Sequence, residues 1–136
     1  MMNNMQDDKC NMEMVEQQLA KIVDYRLIEE SMRRQIKELE VLQMEVKHTI
    51  NIEDNEEQSA YTEKIKHLKN RLEAIVMKRM GIEEMLSDME LSPNARRYAK
   101  LRYVEGHRVG YIMSKLDLSA STCRRLRMEV LSAGAH

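Results

Sequence analysis

Tryptophan and phenylalanine are absent from the 136 residues, tyrosine occurs five times, glycine four times, cysteine twice and proline once. Each scarcity removes an option. So few glycines and prolines leave too little turn chemistry for a β-sandwich or a Rossmann sheet. Cys10 and Cys123 form neither metal-ligand spacing nor a disulfide framework; Cys123 reads as a buried core thiol and Cys10 as a free thiol. No apolar run approaches the roughly 18 residues that cross a bilayer, and residues 1–11 are polar and acidic, unlike a secretory leader. The expectation is a cytoplasmic protein with no membrane association. There is no phosphate-cradling glycine loop, no His pair at i, i+4 and no Ser/His/Asp set, so the sequence points to no enzyme, no metal and no cofactor. His48 and His67 flank the same turn but read as solvated helix residues.

What is present is a chain 43% apolar and 33% charged, its apolar volume drawn from Leu, Ile, Val and 13 Met. That supply suits long helix seams better than a thick core, and the expected class is all-α. The net charge of −1 conceals a division at Leu91, just before the single proline. Residues 1–91 hold 13 basic and 20 acidic side chains, whereas residues 92–136 hold nine basic ones against Glu105, Asp117 and Glu129, a net of +6. An acidic body with a basic end suggests that the end meets a polyanion.

Between Asn11 and Ile50 there is no Gly or Pro, and Val15, Ile22, Tyr25, Met32, Ile36, Leu39, Val46 and Ile50 recur at heptad spacing, broken by Gln18, Glu29 and Gln43. This predicts a helix of about 54 Å at 1.5 Å per residue. Asn51 to Gln58 interrupts the pattern as a turn, in which Asp54 and Glu57 form a possible capping box. Tyr61, Ile65, Leu68, Leu72, Ile75, Arg79, Ile82, Leu86 and Met89 then set a second helix over about 57–90, running through Gly81. So short a turn makes the two antiparallel. The first helix also carries Leu19, Val23, Leu27, Ile28, Val41 and Leu42 outside its seam, more than one partner helix covers. A two-helix seam alone buries too little to offset the ordering of so many residues. The expectation is a homodimer of hairpins held by Ile36, Leu39, Ile65, Leu68, Leu72, Ile75, Ile82 and Leu86; the alternative is that the surplus face docks the C-terminal domain.

Ser92-Pro93 is a helix start, with Ser as cap and Pro at the first position. That helix runs to Gly106, a left-handed terminator. Val109 to Leu116 is a short helix with Ile112, Met113 and Leu116 inward, Asp117-Leu118-Ser119 a turn, and Ala120 to about Ala133 a last helix with Cys123, Leu126 and Val130 inward. Helix, tight turn and basic second helix form a helix-turn-helix pattern. Ser121, Arg124, Arg125 and Met128 then face outward as candidates for base contacts, since the arginine fork matches the O6/N7 edge of guanine. Arg96, Arg97, Arg102, His107, Arg108 and Thr122 are the candidates for phosphate contacts.

Leu101-Arg102-Tyr103-Val104-Glu105-Gly106, then Ile112, Leu116 and Leu118 to Arg125, resembles the C-terminal helix-turn-helix of sigma-70 region 4, and more closely that of small phage transcriptional regulators of the ArpU and RinA type. The resemblance spans about residues 92–134. Met113 stands where that family usually has Ala, Asp117 where a turn Gly is common, and Cys123 where Val is usual. The resemblance implies sequence-specific binding to promoter DNA and regulation of phage genes. The expected organisation is a flexible N-terminus (1–11), a dimerising antiparallel coiled-coil hairpin (12–91) and a DNA-binding helix-turn-helix domain (92–136). The partner is double-stranded DNA; in an adaptor alternative it is RNA polymerase or a phage or host regulatory protein, bound through the coil or the helix-turn-helix.

Overall fold

A computed structural model describes residues 4–49 and 55–136. Helix α1 spans Asn4–Thr49 and α2 spans Asn55–Asp88; three short helices follow, α3 (Pro93–Ala99), α4 (Val109–Leu116) and α5 (Ala120–Ala135). Among the described residues there is no strand, and no helix is long and apolar enough to cross a membrane. Helix α1 begins at Asn4, inside the segment expected to be flexible. Nothing in the sequence interrupts it there, and Asp7 in its first turn complements the helix dipole. The Asp54 capping box and most of the turn lie outside the described residues.

The chain divides into two compact units, one of Met1–Asp24 with Arg79–His136 and one of Tyr25–Lys78, so the division does not fall at Leu91. In the second unit α1 and α2 run antiparallel. The Gln43 side-chain amide donates to Thr62 Oγ1 at 2.9 Å, and Lys69 Nζ stands 3.6 Å from Glu40 Oε1, so the numbering rises on one helix as it falls on the other. Met32, Ile36 and Ile65 are buried, and Leu39, Leu68, Leu72 and Ile75 are half-buried. In the single chain these residues lie along the seam of the hairpin, three of them covered there. Glu29, an interruption of the heptad, is buried, its carboxylate 3.8 Å from the Arg33 guanidinium. Leu27, Ile28, Val41 and Leu42 are exposed.

The other unit has a thicker core than the composition suggested. Val15, Leu19 and Ile22 of α1, with Ile82, Leu86 and Met89, are buried in the unit that also buries Ala95, Tyr98, Ala99, Tyr103, Ile112, Cys123, Leu126, Val130 and Leu131. Ile82 and Leu86, expected at a dimer seam, are thus core residues of one chain. Leu19 is fully buried although Gln18, at the heptad position beside it, is exposed. Part of the surplus apolar face of α1 is therefore taken up within this unit: Leu19 is buried, and Val23 packs against Gly106.

Two glycines permit that approach. Gly106 has φ +78°, and a Cβ there would stand 3.0 Å from Val23 Cγ2. At Gly134, near the end of α5, a Cβ would meet Val15 Cγ1 at 2.6 Å and the Met89 methyl at 2.8 Å. A side chain at either position would hold the C-terminal helices off α1.

Candidate nucleic-acid interface

The C-terminal helices are set by local signals. The Ser92 hydroxyl accepts the Ala95 N–H at 3.3 Å, and Pro93 opens α3. Beyond Ala99 the chain widens into a π-helical turn, Lys100–Val104, in which the Glu105 N–H reaches the Lys100 carbonyl at 2.9 Å. The His107 N–H then closes on the Leu101 carbonyl at 2.9 Å across Gly106, and Arg108, in extended backbone, leads into α4. The sequence predicted one helix from Pro93 to Gly106; the π turn inside it places Tyr103 in the core, edge-on to Tyr98 at 6.3 Å.

Helix α4 ends at Asp117, the one described non-glycine residue in the left-handed region (φ 55°). The Leu118 N–H returns to the Met113 carbonyl at 2.9 Å, which reverses the chain within three residues. Ser119 then caps α5, accepting the Thr122 N–H at 3.1 Å. Its hydroxyl also donates to Thr122 Oγ1 at 2.9 Å and shares a hydrogen bond of 3.1 Å with the Ser121 hydroxyl. Ser121 and Thr122 are thereby joined at the first turn of α5.

On helix α5, Cys123, Leu126, Val130 and Leu131 are buried. The flanks of that buried stripe are tied down, one on each side: Arg127 donates from Nε and Nη2 to the two oxygens of Glu16, each at 2.6 Å, and Glu129 accepts from the Ser92 N–H at 2.8 Å and the Ser92 hydroxyl at 3.0 Å. The Tyr103 hydroxyl donates to the same Glu16 at 3.0 Å. Arg127 and Tyr103 hold the Glu16 carboxyl below its ordinary range against the opposing effect of burial, and burial with the adjacent Glu16 pushes the Tyr103 hydroxyl up.

The remaining face carries Ser121, Arg124, Arg125 and Met128, all exposed. Neither Arg124 nor Arg125 has an ion-pair or hydrogen-bond partner among the described residues. An i, i+3, i+4, i+7 row of this kind lies along one side of a helix.

The six residues expected at phosphates are in different states. Arg97 and Arg108 are exposed. Arg96 donates to the Met89 carbonyl at 2.6 Å, which locks the end of α2 to α3. Arg102 donates to the His107 carbonyl at 3.1 Å, and the His107 ring stacks on Tyr111 at 4.1 Å with Nε2 3.4 Å from Glu105. Arg102 and His107 thus form one loop cluster, whereas Arg96 serves the scaffold. Thr122 is half-buried in the cap.

Sequence reasoning passed over Glu16, Tyr103 and Arg127 as a set, since no short-range pattern joins α1 to α5. It also passed over Tyr111, which is exposed on α4; its spacing of four from His107 was a usable signal. Compared with known proteins, the chain matches no family, no curated protein and no solved structure.

Proposed function

We propose that the protein is a sequence-specific DNA-binding transcription regulator of the phage ArpU and RinA kind, acting as a dimer through a helix-turn-helix formed by α4 and α5. One observation carries the reading: Ser121, Arg124, Arg125 and Met128 line an open face of α5 while its other faces are occupied by core and by Glu16 and Ser92. Uncommitted arginines at the start of a helix that follows a tight turn suit the edge of guanine in a major groove. Arg97, Arg102, His107, Arg108 and Thr122 are the phosphate set; Arg96 contributes to the scaffold first.

Selection of bound duplexes from a random pool tests the reading. The protein should enrich a motif made of two half-sites, and Arg124→Ala with Arg125→Ala should abolish that enrichment while leaving the helical circular-dichroism signal intact. Enrichment that survives the double change removes α5 as the reading helix.

A second reading has an observation of its own. Val109, Tyr111 and Met128 are exposed apolar side chains on α4 and α5, which also suits an adaptor docking on RNA polymerase or a regulatory protein. Salt separates the two, because binding through several phosphates weakens by roughly a thousandfold or more between 50 and 200 mM salt, whereas an apolar contact changes little.

A further inference from the structure

Of the five tyrosines, Tyr111 alone is exposed, at 46%. Its ring is nonetheless held. It stacks on the His107 imidazole at 4.1 Å, with the two planes 25° apart, and His107 is fixed in turn. The His107 backbone N–H reaches the Leu101 carbonyl at 2.9 Å, its carbonyl accepts from Arg102 at 3.1 Å, and its Nε2 lies 3.4 Å from the Glu105 carboxylate. The Tyr111 hydroxyl has no hydrogen-bond partner among the described residues. An oriented hydroxyl of this kind can donate to an incoming oxygen without first giving up a bond within the protein.

The row to which Tyr111 belongs is basic. Arg108 at the N-cap of α4, Tyr111 and Lys115 stand at i, i+3 and i+7, which places them along one side of the helix. All three are exposed, and neither Arg108 nor Lys115 has an ion-pair or hydrogen-bond partner among the described residues. About 10 Å of helix separates the two cations, with the phenol between them. Gly110 and Ser114, also exposed, are small and leave the ring unscreened. Cation, phenol and cation in sequence suit a run of anionic oxygens, two charges neutralising phosphates and the hydroxyl donating to an oxygen between. An apolar protein surface laid on the same row would strip water from both cations and return no partner.

We infer that Arg108, Tyr111 and Lys115 form a strip by which α4 holds the phosphate backbone of duplex DNA, and that His107 is the positioning residue that keeps Tyr111 in place for it. The inference rests on the DNA-binding reading and deepens it, since the first helix of a helix-turn-helix crosses the backbone while the second enters the groove. Tyr111 and Lys115 join the phosphate set, and His107 serves that set through Tyr111.

Anisotropy titrations of the full chain on two labelled duplexes test this, one enriched by the native protein from the random pool and one of scrambled sequence. Phosphate contacts act on both. Tyr111→Phe should weaken binding to each by about three- to tenfold, the worth of one hydrogen bond, with the salt dependence unchanged because the hydroxyl carries no charge. Lys115→Ala should weaken both and lower the slope of log K against log salt by about one. Neither should alter the preference for the enriched duplex, which Arg124→Ala with Arg125→Ala should erase. His107→Ala should cost as much as Tyr111→Phe. Because that change also loosens the loop, His107→Phe, which keeps the stack, decides the positioning role and should bind as the native protein does. Binding as tight after Tyr111→Phe or Lys115→Ala as before overturns the inference and leaves α5 as the reading helix. A changed preference in either variant overturns it as well, since the residue would then read bases. If His107→Phe binds no better than His107→Ala, the positioning role falls. A native protein that enriches no duplex removes the DNA-binding reading, and the strip with it.

Discussion

Glu16 and Arg127 lie 111 residues apart and meet as a two-pronged ion pair, with both N–O distances 2.6 Å. The pair fixes α5 to α1 at the edge of its buried face, and Tyr103 completes it from the π-helical turn. Arginine is suited to this because its planar fork matches both carboxylate oxygens at once. The basic count of the C-terminal segment therefore overstates what it offers a polyanion: Arg127 is neutralised, and Arg124 and Arg125 are not.

Replacing Glu16 by Gln should cost about 1 kcal/mol in urea unfolding, because the pair is two-pronged yet partly open to solvent, with side chains 41% and 35% exposed. Arg127→Met should cost a similar amount, and the double variant less than the sum. Fully additive losses would show that the two residues act separately.

The same pair sets an acid dependence. The Glu16 carboxyl is held below its ordinary value in the folded protein, so its contribution is fully present above the unfolded carboxylate value of about 4.3. It fades as pH falls through that value and is gone once pH drops below the folded one. Thermal midpoints measured from pH 6 down to pH 3 should fall more steeply for the native protein than for Glu16→Gln. Parallel curves would remove Glu16 as a source of the acid sensitivity.

The glycines should separate by position. Gly81→Ala should stabilise by roughly 1 kcal/mol, since a Cβ there meets nothing within 4 Å. Gly106→Ala, at φ +78° and against Val23, should destabilise, by about 1–2 kcal/mol. Gly134→Ala should destabilise by about 1–3 kcal/mol through overpacking. Denaturant midpoints of the three variants check the order.

Asp117 sits in the left-handed region at φ 55°. Asp117→Gly should change stability by no more than about 0.5 kcal/mol, because relief of backbone strain offsets the added freedom of the unfolded chain. Asp117→Val should cost about 1–2 kcal/mol. Circular-dichroism melts of both would show it, and equal losses would mean that the turn does not depend on this conformation.

What could be read along the chain was what local chemistry enforces. Heptad spacing gave α1 and α2, the short turn their antiparallel pairing, Ser92-Pro93 the start of α3, Gly106 the left-handed residue before α4, and Ser119 the cap of α5. The outward row Ser121, Arg124, Arg125 and Met128 followed from the inward Cys123, Leu126 and Val130, since one helical period fixes both faces. Periodicity states that a face is apolar but not what covers it. Leu19, Val23, Leu27, Ile28, Val41 and Leu42 were alike in the sequence. Only the tertiary structure divided them, burying Leu19 and setting Val23 against Gly106 while leaving the other four exposed. It also spent Arg127 on Glu16, because a charge finds its partner by distance in space, and separation along the chain carries no record of that.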